Sequence, residues 1–202
     1  MTFIKFCGMT RAEDVEAAIE LGIDAIGLVL WPGSPRHVTL PQAARLVSIL
    51  PDHITPVGVF VRPTRDDVAQ AVEQIGIRVA QLHGVSEVSF ESPSCRFWVA
   101  ISPPVNGSAV SVDTDHMILL DAHDPVRHGG TGQTIDWNGA ARVARTRSIV
   151  LAGGLTPANV GEAIRTVRPF GVDVASGIET SAGVKSAAAM REFVAAVRGT
   201  DQ

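Results

Sequence analysis

Eight short apolar runs punctuate this chain, at residues 3–7, 25–30, 56–60, 79–82, 97–101, 117–120, 148–152 and 171–175. Most are apolar at nearly every position, without the polar alternation of a strand wetted on one face. Strands of that kind are covered on both sides, which is the condition of a parallel sheet under helices. The stretches between them supply the cover. Residues 12–21 place Val15, Ala18, Ile19 and Leu21 largely on one side, and residues 41–50 do the same with Ala43, Leu46, Val47 and Leu50. Residues 64–75 carry Val68, Ala71, Val72 and Ile75, and residues 186–198 carry Ala189, Met190, Phe193 and Val197. Thr10 with Glu13 has the spacing of a capping box, and Thr156-Pro157 pairs a cap with proline at a first helical position. Right-handed crossovers repeated about eight times predict one closed (β/α)8 barrel spanning residues 1–202, with an open doubly wound sheet as the competing fold. Residues 102–116 carry turn formers and no apolar stripe, so the fifth outer helix is expected to be short or replaced by loop.

Composition narrows the function. Hydrophobic residues make up 46% of the chain, enough for a large core, and no apolar run approaches the roughly 18 residues that cross a bilayer. The first residues lead straight into a strand with no secretory pattern, so a cytoplasmic protein is expected. Net charge is −4 and the 17 Lys and Arg are scattered, which argues against a nucleic-acid surface but not against a single phosphate ester. The two cysteines lie far apart and the six histidines lack ligand spacing, so neither a disulfide framework nor a metal centre is expected.

The carboxyl ends of the strands carry the chemistry-bearing groups, and in parallel α/β folds that edge is where sites are built. Cys7-Gly8 ends the first strand, Gln81-Leu82-His83-Gly84 the fourth and Leu119-Leu120-Asp121 the sixth. Ala152-Gly153-Gly154 ends the seventh and Ala175-Ser176-Gly177 the eighth. A pair of glycine turns after strands seven and eight is a frequent phosphate site in such barrels, built from loop N–H groups. A thiolate at Cys7 can serve as nucleophile or base, although a cysteine in a strand is more commonly a small buried hydrophobe.

In order along the chain, Lys5-Phe6-Cys7-Gly8-Met9-Thr10, Ser34-Pro35-Arg36, Val57-Gly58-Val59-Phe60-Val61, Gln81-Leu82-His83-Gly84 and Leu119-Leu120-Asp121 resemble the phosphoribosylanthranilate isomerase family. So do Gly129-Gly130-Thr131-Gly132 with Asp136-Trp137, Leu151-Ala152-Gly153-Gly154-Leu155, and the segment from Val172 through Ser176-Gly177 to Glu179. These blocks run from residue 5 to about 185. The resemblance implies the third step of tryptophan biosynthesis from chorismate, an Amadori rearrangement of a phosphoribosyl substrate without cofactor or metal. It implies Asp121 as the acid that protonates the furanose oxygen and Cys7 as the base that removes the C2′ proton. Arg36 is implied to meet the anthranilate carboxylate, and His83 to orient the substrate or the acid. Gly130, Gly153, Gly154, Ser176 and Gly177 are implied in substrate binding. A monomer or homodimer is expected.

Four positions depart from the family pattern. Gln133 stands for lysine, Ile135 for phenylalanine, Arg62 for asparagine and Ser186 for aspartate. A pentose-phosphate epimerase would need paired acids and metal-binding histidines, and an indoleglycerol-phosphate synthase a lysine acid within the barrel; neither pattern fits. A barrel that keeps the pocket only to sense a phosphorylated ligand is the non-enzymatic alternative.

Overall fold

The computed structural model describes residues 1–85, 88, 91–101, 116–121 and 135–201. Eight parallel strands close on themselves in chain order: β1 (Phe3–Cys7), β2 (Ala25–Val29), β3 (Thr55–Val61), β4 (Val79–His83), β5 (Arg96–Ile101), β6 (Met117–Leu120), β7 (Ile149–Leu151) and β8 (Gly171–Val174). Closure is made by β1, which pairs β2 through Lys5 opposite Ala25 and β8 through Lys5 opposite Asp173. The barrel reading therefore holds over the open sheet.

Strand period sorts the side chains. Ile4 and Phe6 of β1 point outward into the layer shared with the helices, where Phe6 meets Phe193 edge-on at 6.1 Å. The alternate residues fill the barrel: Cys7, Val57, Val79, Trp98, Leu119 and Val150 belong to one interior cluster. Lys5, Gln81, His83 and Asp173 are buried polar residues of the strands.

The helices are α1 (Ala12–Glu20), α2 (Leu40–Val47), α3 (Arg65–Ile75), α4 (Trp137–Ala144), α5 (Val160–Val167) and α6 (Ala187–Arg198). Capping boxes open α2 at Thr39–Gln42 and α3 at Thr64–Asp67. The box expected at Thr10–Glu13 does not form. Arg11 occupies the N-cap of α1 without a side-chain capping bond to a helix N–H, and the Thr10 hydroxyl instead donates to the Gly183 carbonyl. The helix expected from Thr156-Pro157 begins at Val160, because Asn159 turns back to accept from Thr156 N at 2.8 Å and donate to Gly154 O at 2.9 Å. A short antiparallel hairpin, β9 (Glu179–Ser181) and β10 (Val184–Lys185), intervenes between β8 and α6. Ser186 then caps α6 by accepting from Ala189 N, so the departure from aspartate keeps a capping oxygen. The fifth-helix expectation at 102–116 falls almost wholly outside the described residues. Among the described residues no helix is long and apolar enough to cross a membrane.

Candidate active site

The carboxyl ends of the strands open on a cavity of about 720 Å³ including the open solvent at its mouth. Cys7, Arg36, His83, Asp121, Gly153, Gly154 and Ser176 all line it. Gly177 sits just behind, where a Cβ would fall 1.9 Å from the Leu155 carbonyl oxygen; only glycine lets the turns after β7 and β8 lie this close. Gly153 and Gly154 take φ of 82° and 63°, which seats the first of those turns. Gly130 lies outside the described residues, as does Gln133.

Each group arrives on a different element. β1 ends in Cys7, buried in the barrel mouth, and burial pushes its thiol above its ordinary range while Lys5 and Lys185 pull the other way. Asp121 follows β6 directly, half-buried, with its backbone N–H donating to the Ile101 carbonyl at 3.0 Å. His83 ends β4, and its Nε2 is 2.8 Å from Gln81 Nε2 two residues down the same inward face. Such a contact sets the imidazole's orientation from below.

Arg36 comes from the loop after β2, its backbone N–H bonded to Ser34 Oγ. Its guanidinium is held by a residue that carried no role in the sequence reading. Glu179 accepts from Arg36 Nε at 2.9 Å and from Nη2 at 2.7 Å. The same carboxylate takes Lys185 Nζ at 2.8 Å, and that ammonium also donates to the backbone carbonyls of Cys7 at 2.6 Å and Ala175 at 3.2 Å. Burial works to raise the Glu179 carboxyl, but the two cations outweigh it and hold it below its ordinary value; burial depresses Lys185. The hairpin is tied down in turn by α1, since Asp14 accepts from Lys185 N and from both Arg11 Nε and Nη2.

Beneath Cys7, Lys5 Nζ meets Asp173 Oδ1 at 2.8 Å, with the lysine side chain fully buried. Lys5 Nζ and Cys7 Sγ both lie against the Cβ that Gly27 lacks, 2.9 and 2.8 Å from where it would fall. Lys5, Asp173, Glu179, Lys185 and Gln81 are the site residues that sequence reasoning missed. For Lys5 the signal was parity: a charge at i−2 from Cys7 in an otherwise apolar strand must share its inward face and be paired. Among the described residues, no cluster of His, Cys, Asp or Glu has the makings of a metal site.

The family model for N-(5'phosphoribosyl)anthranilate (PRA) isomerase matches residues 4–196. An N-(5'-phosphoribosyl)anthranilate isomerase of Leptothrix cholodnii is 43% identical over 205 residues, 99% of this chain and 92% of that protein. A phosphoribosyl anthranilate isomerase solved with reduced 1-(o-carboxyphenylamino)-1-deoxyribulose 5-phosphate superposes with a TM-score of 0.81 at 29% identity, covering 98% of this chain and 100% of the other. A structure of monomers generated from the dimeric enzyme of Thermotoga maritima gives the same TM-score at 30% identity and the same coverage.

Proposed function

The chain belongs to the N-(5'-phosphoribosyl)anthranilate isomerase family, and from that membership we propose how its own residues divide the reaction. The enzyme converts N-(5-phosphoribosyl)anthranilate to 1-(2-carboxyphenylamino)-1-deoxyribulose 5-phosphate in tryptophan biosynthesis. Relatives of that activity match nearly end to end, so the ligand-sensing alternative and the other phosphate-binding barrels give way.

Asp121 acts as the acid that protonates the furanose oxygen and opens the ring to an iminium ion. Cys7 acts as the base that takes the C2′ proton, leaving an enolamine that tautomerises to the ketone. The observation that carries this division is that Cys7, ending the first strand, and Asp121, just after the sixth, open on one cavity with Arg36 and the paired glycine turns. Glu179 occupies Arg36 Nε and one side of Nη2, which leaves the Nη1–Nη2 end of the fork for the anthranilate carboxylate. Backbone N–H groups at Gly153, Gly154, Ser176 and Gly177 suit the phosphate, and the family resemblance adds Gly130 to the substrate-binding residues. His83, steadied by Gln81, orients the substrate or the acid.

The test follows the decay of substrate fluorescence. Cys7→Ser and Asp121→Asn are each expected to lower kcat by roughly 10²–10⁴-fold while the reduced product still binds. Near-wild-type turnover in either variant overturns that residue's role. The reading extends to one catalytic domain over residues 1–202, working in the cytoplasm as a monomer or homodimer, which sedimentation at several concentrations measures.

A further inference from the structure

A thiol base in a buried strand end faces a physical obstacle, because burial favours the neutral thiol and the reaction needs the anion. The charged groups around the sulfur come from several elements. Lys5 lies below it on β1, Asp173 beside it on β8 and Lys185 on β10; Arg36, His83 and Asp121 stand around the cavity, and Glu179 neutralises Arg36 and Lys185. Of the cations, Lys5 shares with the sulfur the space beside Gly27, whereas Lys185 donates to the backbone carbonyl of Cys7.

The packing makes room for this contact. The Cβ that Gly27 of β2 lacks would fall 2.8 Å from Cys7 Sγ and 2.9 Å from Lys5 Nζ, so sulfur and ammonium share the space that glycine leaves open. Asp173 fixes the ammonium from the other side at 2.8 Å. A buried ion pair gives little stability over apolar residues of the same volume, so its placement against a reacting sulfur calls for another account.

We propose that Lys5, fixed by Asp173, is the positioning residue of the Cys7 base: its ammonium stands against the sulfur and compensates the charge of the thiolate. This rests on the reading of Cys7 as the base. The Cys7 thiol gives its proton to bulk water. The thiolate lone pair then takes the C2′ proton, forming S–H, and the C–H electron pair becomes the C1′–C2′ double bond as the iminium nitrogen is neutralised. Lys5 keeps its own proton throughout. Asp173 works against the thiolate by its charge and for it by holding Lys5, so the two residues have opposite electrostatic signs at the sulfur.

That opposition supplies the test. In a Cys95→Ser background, iodoacetamide labelling of Cys7 is followed by mass spectrometry across a pH series, alongside kcat/KM and the affinity for the reduced product. Lys5→Met is expected to move the labelling midpoint to higher pH, slowing labelling at neutral pH by roughly tenfold for each pH unit the midpoint moves. Asp173→Asn is expected to move it down, and the double variant to fall between them. The acid limb of kcat/KM should follow each change, while affinity for the reduced product hardly changes. Midpoints that stay put, or that move the same way in both single variants, overturn the proposal. Should Lys5→Met not fold, Asp173→Asn and the double variant carry the same comparison, and a midpoint for Asp173→Asn at or above wild type overturns it. Altered labelling with an unaltered rate profile overturns the role of Cys7 as base and leaves the coupling of Lys5 to the thiol standing.

Discussion

Arg62 holds a backbone φ of 47°, a left-handed conformation that costs an L residue roughly 1–2 kcal/mol and that asparagine tolerates far better. The position follows β3, where the chain turns so that Arg62 N–H can donate to the His83 carbonyl at 2.9 Å. Sequence resemblance marks the same position as one where asparagine is common, and the turn supplies the physical reason. The side chain is exposed, so little packing is lost on replacing it. Arg62→Asn is therefore expected to raise stability by roughly 1 kcal/mol, a rise in Tm of about 2–4 °C for a chain of this size. A thermal melt that shows no rise removes strain at Arg62 from the account. Ile135, the departure from phenylalanine, is buried in the layer outside the barrel, where a smaller apolar residue still packs.

The β9–β10 hairpin does more than link β8 to α6. Through Glu179 it grips Arg36, through Lys185 it holds the Cys7 and Ala175 carbonyls, and Thr10 and Asp14 anchor it to the start of α1. Glu179→Gln leaves Lys185 buried without an anion and sets an amide N–H against the guanidinium, a loss of roughly 3–5 kcal/mol. Because the Glu179 carboxyl is held below its ordinary value of 4.5, its contribution is fully present above that pH. It is lost as pH falls through the depressed folded value, since the unfolded chain binds the proton first. The stability gap between wild type and Glu179→Gln should thus narrow on acidification, and melts of both proteins at descending pH read it directly. A gap that is constant with pH means the carboxylate is not the cause. The hairpin also shows where sequence reading stops. The strands were legible because burial on both faces writes an unbroken apolar run, and Cys7, Arg36, His83 and Asp121 were legible from strand-end position and resemblance. Glu179 and Lys185 were not, because their meaning depends on a fold-back that brings them against residues some 140–180 positions away in the chain. Thr10 was misread for the converse reason: it fits a local capping pattern, and a tertiary contact takes its hydroxyl hydrogen bond instead.

At the scale of the whole molecule, closure joins the two ends of the chain. β1 pairs with β8, Thr2 N–H and Oγ1 donate to the Asp201 carboxylate at 3.0 and 2.8 Å, and Arg198 Nη1 donates to the Thr2 carbonyl at 2.8 Å. A barrel interrupted anywhere exposes two strand edges and uncovers the interior cluster, so partial structures forfeit much of the burial that supports the rest. The site shares this dependence, because Lys5, Cys7 and Asp173 lie across the seam between first and last strands. One domain of this kind is expected to unfold in a single transition. Trp98 sits inside the barrel and, once Trp31 and Trp137 are replaced by phenylalanine, reports on the interior by fluorescence, while far-ultraviolet circular dichroism reports mainly on the outer helices. The two probes should give the same midpoint in urea. Reduced product at about 100 times its Kd should then raise stability by about 2.7 kcal/mol and move both probes together, since the cavity it fills is bounded by strand ends from all around the barrel. Separate midpoints, or a ligand that shifts one probe and leaves the other, would mean that the seam opens before the rest and that the single-domain reading fails at the strand pair on which Cys7, the proposed base, stands.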